Sequence, residues 1–290
     1  MTGTRRSATL IGFSAVLMWS LLALMTAASG AIPPFQLAAI AFAIGGIAGL
    51  AWIALGRRWR DLRQPWPVWL LGVGGLFGYH FFYFSALRSA PAVEASLIAY
   101  LWPLLIVLLS ALLPGERVRW FHIAGAALGL LGTALIVTRG AGFSVDPDYL
   151  PGYASAFVCA VIWAVYSVVS RSFADVPTGA VAGFCIVTAI LSGLAHLGLE
   201  ATVWPADAGE WLSVIGLGLL PVGAAFYVWD HGVKRGDIQI LGVSAYAAPI
   251  LSTAILILSG FAEASLAIGA AALLIAGGAA LASKDLFSRE

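Results

Sequence analysis

Charge is scarce in this chain. Lys and Arg number 15 and Asp and Glu 14 among 290 residues, 10% in all, against about 25% in soluble domains. That much charge cannot cover a globule in water, so a soluble protein is excluded. Cysteine is scarcer still: Cys159 and Cys185 both fall inside apolar runs, which argues against a disulfide framework and for buried thiols. A net charge of +1 leaves no electrostatic footprint for nucleic acid. No Asp or Glu lies near the centre of an apolar run; Glu94, Glu116, Asp230 and Glu263 stand within a few residues of an end. Ion-driven carriers ordinarily place an acid at depth, so a coupling ion has no visible ligand here. Deep cations are missing as well, which disfavours phosphorylated solutes. There is no H-x-x-x-H at depth, no paired mid-span Asp and no Gly-x-Ser-x-Gly. Neither an enzyme, a metal site nor a cofactor is expected.

What is present is apolar length. The chain is 61% hydrophobic with mean hydropathy +0.97, and a hydrocarbon core of ~30 Å takes about 20 apolar residues as a helix. Ten runs meet that length: 8–28, 35–56, 67–87, 92–113, 120–138, 151–171, 178–199, 210–231, 237–258 and 264–283. The first is as long as the others and lacks a clear cleavage site, so it reads as a spanning helix rather than a removed signal. An even number of spans puts both termini on one side. With that side cytoplasmic, Arg5, Arg6, Arg57, Arg58, Arg60, Arg63, Arg117, Arg119, Arg171, Lys234, Arg235, Lys284 and Arg289 are inside, and Arg88 and Arg139 alone are outside; cytoplasmic loops are the basic ones. Trp52, Trp59, Trp66, Trp69, Trp120, Trp204, Trp211 and Trp229 fall near span ends, as interfacial anchors should. Trp19, Trp102 and Trp163 lie well inside their spans.

Two prolines interrupt this pattern in the same way. Tyr100-Leu101-Trp102-Pro103 and Tyr246-Ala247-Ala248-Pro249 are one Tyr-x-x-Pro motif, 146 residues apart, each mid-run and each 12 residues after a cation, Arg88 or Lys234. Proline removes a hydrogen bond that lipid cannot replace. Matching helix breaks in two halves mark a carrier whose site lies between them. Trp19 has a counterpart in Trp163, and Gly125, Gly129 and Gly132 in Gly269, Gly277 and Gly278; Pro114-Gly115-Glu116 answers Gly260-Phe261-Ala262-Glu263. The expected architecture is an all-α membrane protein of ten helices: a first repeat at 1–138, a periplasmic linker at 139–150 with Gly140, Gly142 and Pro147, and a second repeat at 151–290. Five spans per copy is odd, so the second copy inserts inverted. Gly45/Gly49, Gly74/Gly78 and Gly125/Gly129 have the small-x-x-x-small spacing that lets helix backbones approach.

With these markers the chain resembles the drug/metabolite transporter superfamily with two EamA-type repeats, over nearly its whole length. Within that group, Tyr79-His80-Phe81-Phe82-Tyr83 and Ala99-Tyr100-Leu101-Trp102-Pro103 look like the bacterial aromatic amino-acid and paraquat exporters. The resemblance implies export across the bacterial inner membrane.

The candidate site is built around the breaks. Pro103 frees a carbonyl near Ala99, and irregular backbone at depth is tolerable only against protein or a wet cavity. Tyr100 and Trp102 should border such a cavity, mirrored by Ser244, Tyr246 and Pro249. Tyr79 and Tyr83 share a helical face, with His80 beside them. Trp163, Tyr166, Ser167 and Ser170 form a stripe at i, i+3, i+4 and i+7. Trp19, with Ala15, Ala23 and Thr26, should face it. Aromatic walls with polar tips suit an apolar or aromatic solute with a polar head, and ring faces attract ammonium groups. An amino acid or a paraquat-like organic dication meets both conditions. His80 could bind a carboxylate when charged or relay a proton, or sit neutral on a nearby carbonyl. The expected mechanism is facilitated diffusion by alternating access in a single chain, with Pro103 and Pro249 as hinges. The alternative is a carrier of a nucleoside, vitamin or organic cation, with proton coupling. A channel would want filter loops, and none is apparent.

Overall fold

The computed structural model describes residues 3–138, 146–260 and 265–282, and these form helices and short connections with no strand among them. Ten rods follow one another: α1 (Gly3–Ala27), α2 (Pro34–Leu55), α3 (Trp66–Ser89), α4 (Ala92–Leu112), α5 (Trp120–Val137), α6 (Pro147–Phe173), α7 (Ala180–Leu199), α8 (Ala208–Arg235), α9 (Ile238–Leu258) and α10 (Leu266–Ala282). Nine are long and apolar enough to cross a bilayer, and α10 has 17 described residues, about 25 Å of rise. Arg139, Gly140, Gly142, Phe261, Ala262, Glu263, Lys284 and Arg289, used above for the linker, the acid turn and the charge count, lie outside the described residues.

Helix ends follow local chemistry. Pro34 opens α2, where a missing N–H costs nothing. Asp207 and Asp237 cap α8 and α9 by accepting from Glu210 N at 2.9 Å and Ile240 N at 3.1 Å. Beyond α4 and α9 the chain turns on Gly115 (φ 80°) and Gly260 (φ 76°), a conformation side chains resist.

The interruptions repeat between the two halves. The helix breaks at Tyr100–Leu101 in α4 and at Ala245–Tyr246 in α9. A second pair comes from single π-turns, Gly74–Gly78 in α3 and Leu220–Ala224 in α8, 146 residues apart like the motifs. Their sequences hold three glycines or Pro221, so the regular ladder is weak there. Helix α1 also breaks, at Ser20–Leu21.

Packing exchanges the two halves of the chain. Helix α1 lies along the second part of α8, while α6 lies along the second part of α3; α2 pairs with α7, α4 with α9 and α5 with α10. Glycines set the closest approaches: a Cβ added to Gly125 would stand 2.5 Å from the Gly278 carbonyl, and one on Gly12 would stand 2.8 Å from Gly232 Cα. Gly45 packs likewise on Gly223. Gly74 does not: a Cβ there meets nothing within 4 Å, so Gly74/Gly78 mark a π-turn rather than a helix-packing face. Gly129 backs the Tyr246 ring, 2.4 Å from an added Cβ. Tyr246 is fully buried and cannot swing aside. Gly129→Ala is expected to cost about 1–3 kcal/mol, read as a lower Tm in detergent; an unchanged Tm would mean that the ring is free to move.

The α1 break also corrects one expected face. Ala15 is buried but Ala23 and Thr26, beyond the break, are exposed.

Candidate functional site

Four tryptophans from four helices meet in the middle of the bundle. Trp19 (α1) is the hub, with ring centroids 6.1 Å from Trp102 (α4), 5.9 Å from Trp163 (α6) and 5.0 Å from Trp229 (α8). Trp163 stands 5.2 Å from Tyr166 and 5.5 Å from Tyr79, and Tyr79 stacks on Tyr83 at 5.8 Å, 10° from parallel. His80 adjoins Tyr79 at 5.2 Å and lies edge-on to Phe42 at 5.0 Å, which in turn stacks on Phe226. Seven of the ten residues expected from sequence, Trp19, Tyr79, His80, Tyr83, Trp102, Trp163 and Tyr166, therefore join one ring network. Most contacts are edge-on or tilted, the geometry that aromatic quadrupoles favour.

Tyr100 and Tyr246 stand outside that network but touch each other. The Tyr246 hydroxyl donates to the Tyr100 carbonyl at 3.2 Å, joining the two proline-broken segments. The Tyr246 ring itself packs with Val107, Ala126, Val243 and Ile275 between α4, α5, α9 and α10. Ser244 is half-buried, immediately before the α9 break, and Pro103 and Pro249 are buried just after theirs. Ser167 and Ser170 are buried, so the α6 stripe does point inward.

Two polar tips of the network are taken up by backbone. Trp19 Nε1 donates to the Pro221 carbonyl in the α8 π-turn at 3.1 Å, and His80 Nδ1 lies 2.7 Å from the Leu76 carbonyl in the α3 π-turn. A carbonyl only accepts, so Nδ1 carries the hydrogen. In the neutral ring this leaves Nε2 as the acceptor. Both π-turns in the mid-membrane ladder thus receive a hydrogen bond from an aromatic N–H, as a medium without water requires.

Trp229 and Phe226 are missed by span-based reading. Trp229 is 0% exposed and donates to Ser167 Oγ at 3.1 Å; it is a core residue, not an interfacial anchor. The repeat itself carries the signal, since Phe226 and Trp229 stand 146 residues after His80 and Tyr83. The end of α8 is buried as well. The turn between α6 and α7 folds over that helix end, where Lys234 Nζ meets Asp230 at 2.8 Å and donates to the Val176 carbonyl at 3.1 Å, and Thr178 Oγ1 donates to Asp230 at 2.8 Å. The Asp230–Lys234 pair is buried, although it stands near a span end.

Charged groups tie each end of the bundle. At one end Glu116 accepts from Arg5 at 3.0 Å and Arg171 at 2.6 Å, and Arg5 also reaches Asp237 at 3.1 Å. Gln239, its amide turned to donate to Asp237 and Glu116, completes the cluster. At the other, Glu200 holds Arg88 at 2.5 Å and His196 at 3.0 Å and caps α2 through Phe35 N and Gln36 N.

Helices broken in pairs around an aromatic centre define a multi-pass membrane transporter. The chain belongs to the EamA-like transporter family, whose model matches it twice, at residues 6–138 and 150–284. The aromatic amino acid exporter YddG of Ancylobacter novellus is 60% identical over 97% of this chain and 98% of its own. The exporter of that name from Escherichia coli is 28% identical, covering 96% and 97%. A probable terminal-alkyne amino-acid exporter of Streptantibioticus cattleyicolor is 25% identical over 80% of this chain and 81% of its own. A solved crystal structure with 59% identity superposes at TM-score 0.92, covering 96% of this chain and 99% of the other. Named relatives are transporters, and the protein is a multi-pass protein of the bacterial inner membrane.

Proposed function

We propose that this protein exports amino acids, aromatic ones favoured, through an aromatic-lined central cavity, without a coupling ion. The observation that carries the reading is the ring network around Trp19, Trp102 and Trp163, together with the accessible surface that Tyr79, His80, Tyr83 and Tyr100 keep deep inside the bundle. Accessible rings at that depth fit the wall of an internal space. Ring faces would hold an aromatic side chain by offset or edge-on contact and an ammonium group by cation–π attraction of about 1–2 kcal/mol when desolvated. Neutral His80 offers Nε2 to the ammonium; charged, it offers a donor to the carboxylate. Organic dications of the paraquat kind satisfy the same walls.

Ten spans in two inverted repeats, residues 1–138 and 151–290, with both ends cytoplasmic, would give alternating access. The family model's double match and the exchanged packing, α1 on α8 and α6 on α3, support that reading. Pairs α3–α4 and α8–α9 would swing about Pro103 and Pro249, one chain sufficing for the pathway. The cluster of Arg5, Glu116, Arg171 and Asp237 binds together the α1, α4, α6 and α9 ends; these helices carry Trp19, Trp102, Trp163 and Tyr246. It would hold the cytoplasmic mouth shut in this conformation. The reading of the protein as a carrier rather than an enzyme rests on the same relatives, which are named transporters.

Purified protein in liposomes loaded with phenylalanine, tryptophan, a nucleoside or methyl viologen tests this. Efflux of the amino acids down their own gradient is expected, at a rate insensitive to an imposed pH gradient. Strong dependence on the pH gradient would reject uncoupled transport, and movement of the nucleoside without any amino acid would reject the substrate class.

A further inference from the structure

Four arginines stand within seven residues on the turn between α2 and α3: Arg57, Arg58, Arg60 and Arg63, all exposed. Asp61 is the acid in this turn, and it pairs with Arg58 at 3.1 Å, whose guanidinium also lies 3.7 Å over the Trp52 ring. Arg57, Arg60 and Arg63 have no acid partner among the described residues. Three residues beyond Arg63 a groove of about 650 Å³ opens between the start of α3 and the end of α6, from Trp66 to Gly78 on one wall and from Val161 to Phe173 on the other. Its lining is almost wholly apolar, and its outer residues face the bilayer: Trp66 is 74% exposed, Leu70 65% and Val165 38%. Gly74 looks into this space, which is why a Cβ there would meet no atom. Along α3 the groove runs about 18 Å, the reach of an extended acyl chain.

We propose that this groove and its arginines form a binding site for an anionic glycerophospholipid, with one acyl chain lodged between α3 and α6 and the phosphate against Arg60 and Arg63. Any lipid could fill an apolar slot, but unpaired guanidinium groups at its mouth select an anionic headgroup. Arginine's planar fork binds phosphate oxygens with two parallel bonds, and basic segments beside a span attract anionic lipid. Trp66 at the mouth sits at headgroup level. The chain would lie against the α3 π-turn and against Tyr166, which touches Trp163. The lipid would therefore brace the one stretch where the α3 ladder is irregular, one residue shell from the aromatic centre.

The test compares quenching of Trp66 by phosphatidylglycerol and phosphatidylcholine brominated on the acyl chain, at equal low mole fraction in mixed vesicles, with Trp66→Phe isolating the signal. Brominated phosphatidylglycerol is expected to win by roughly fivefold or more in relative affinity. The double variant R60Q/R63Q should lose that preference while still being quenched by both lipids, and Gly74→Phe, which fills the groove from an open position, should lose quenching by either. Equal quenching of the unmodified protein by both lipids would overturn the proposal, and so would a preference that survives R60Q/R63Q or quenching that survives Gly74→Phe. The first comparison uses the unmodified protein, so a poorly folding variant cannot rescue the proposal.

Discussion

Asp230→Ala is expected to lower the stability of the purified protein by about 3–5 kcal/mol. The substitution removes the partner of a side chain that is 4% exposed, leaving the Lys234 ammonium with only the Val176 carbonyl. It also strands the Thr178 hydroxyl. An uncompensated charge inside a membrane protein is costlier than the pair it came from. The double variant D230A/K234M should regain most of the loss, because an apolar pair of similar volume replaces a desolvated ionic one at little net cost. Thermal denaturation in detergent, read as a full cycle of single and double variants, checks the sign. If Asp230→Ala melted with the parent, the pair would be solvated after all and the α6–α7 turn would not cover it.

Pro249→Ala and Pro103→Ala are expected to slow export on the order of tenfold each, equivalent to about 1.4 kcal/mol in the balance between conformations. Alanine restores an N–H that can reach the carbonyl four residues back, so a straight, continuous helix becomes a competitor to the broken one. In α4 the break exposes the Tyr100 carbonyl to the Tyr246 hydroxyl; straightening either segment pulls these apart. Stability should change less than rate, since a helix that gains a bond loses little. Liposome efflux measured beside detergent Tm separates the two. Equal loss of both would make the prolines parts of the scaffold rather than pivots.

The local features were legible because a bilayer leaves few choices. Spans show as apolar runs, and the breaks of α4 and α9 show as prolines that lipid cannot excuse. Tyr79, His80, Tyr83, Trp102 and Trp163 were visible as polar or large rings at depth, where chance substitution is expensive. Trp229 was not, because its distance along the chain from the end of α8 does not say that Trp19, Trp102 and Trp163 gather around it. The α6–α7 turn likewise hid the burial of Asp230 and Lys234. For Gly74 the spacing pointed to helix packing, yet the glycine opens a groove; i, i+4 spacing selects a face but does not say whether another helix occupies it. Trp19 and His80 were foreseen as candidate site residues, and a carbonyl partner was one of two readings of the His80 ring. That the carbonyls they meet would lie in the π-turns of α8 and α3 was not foreseen.

Composition, charge placement and the 146-residue echo by themselves determined that this protein crosses the membrane repeatedly and that its two halves share one plan, and they placed most of the central rings, Trp229 excepted, at depth. Those are local properties, imposed by a solvent that makes every backbone group find its partner nearby. Only the tertiary structure decided which rings meet, which hydroxyls and indoles are spent on carbonyls, and which ion pairs are dry. Helix association in lipid turns on sub-ångström backbone fit, as between Gly125 and Gly278, and that fit belongs to pairs of helices rather than to any one run.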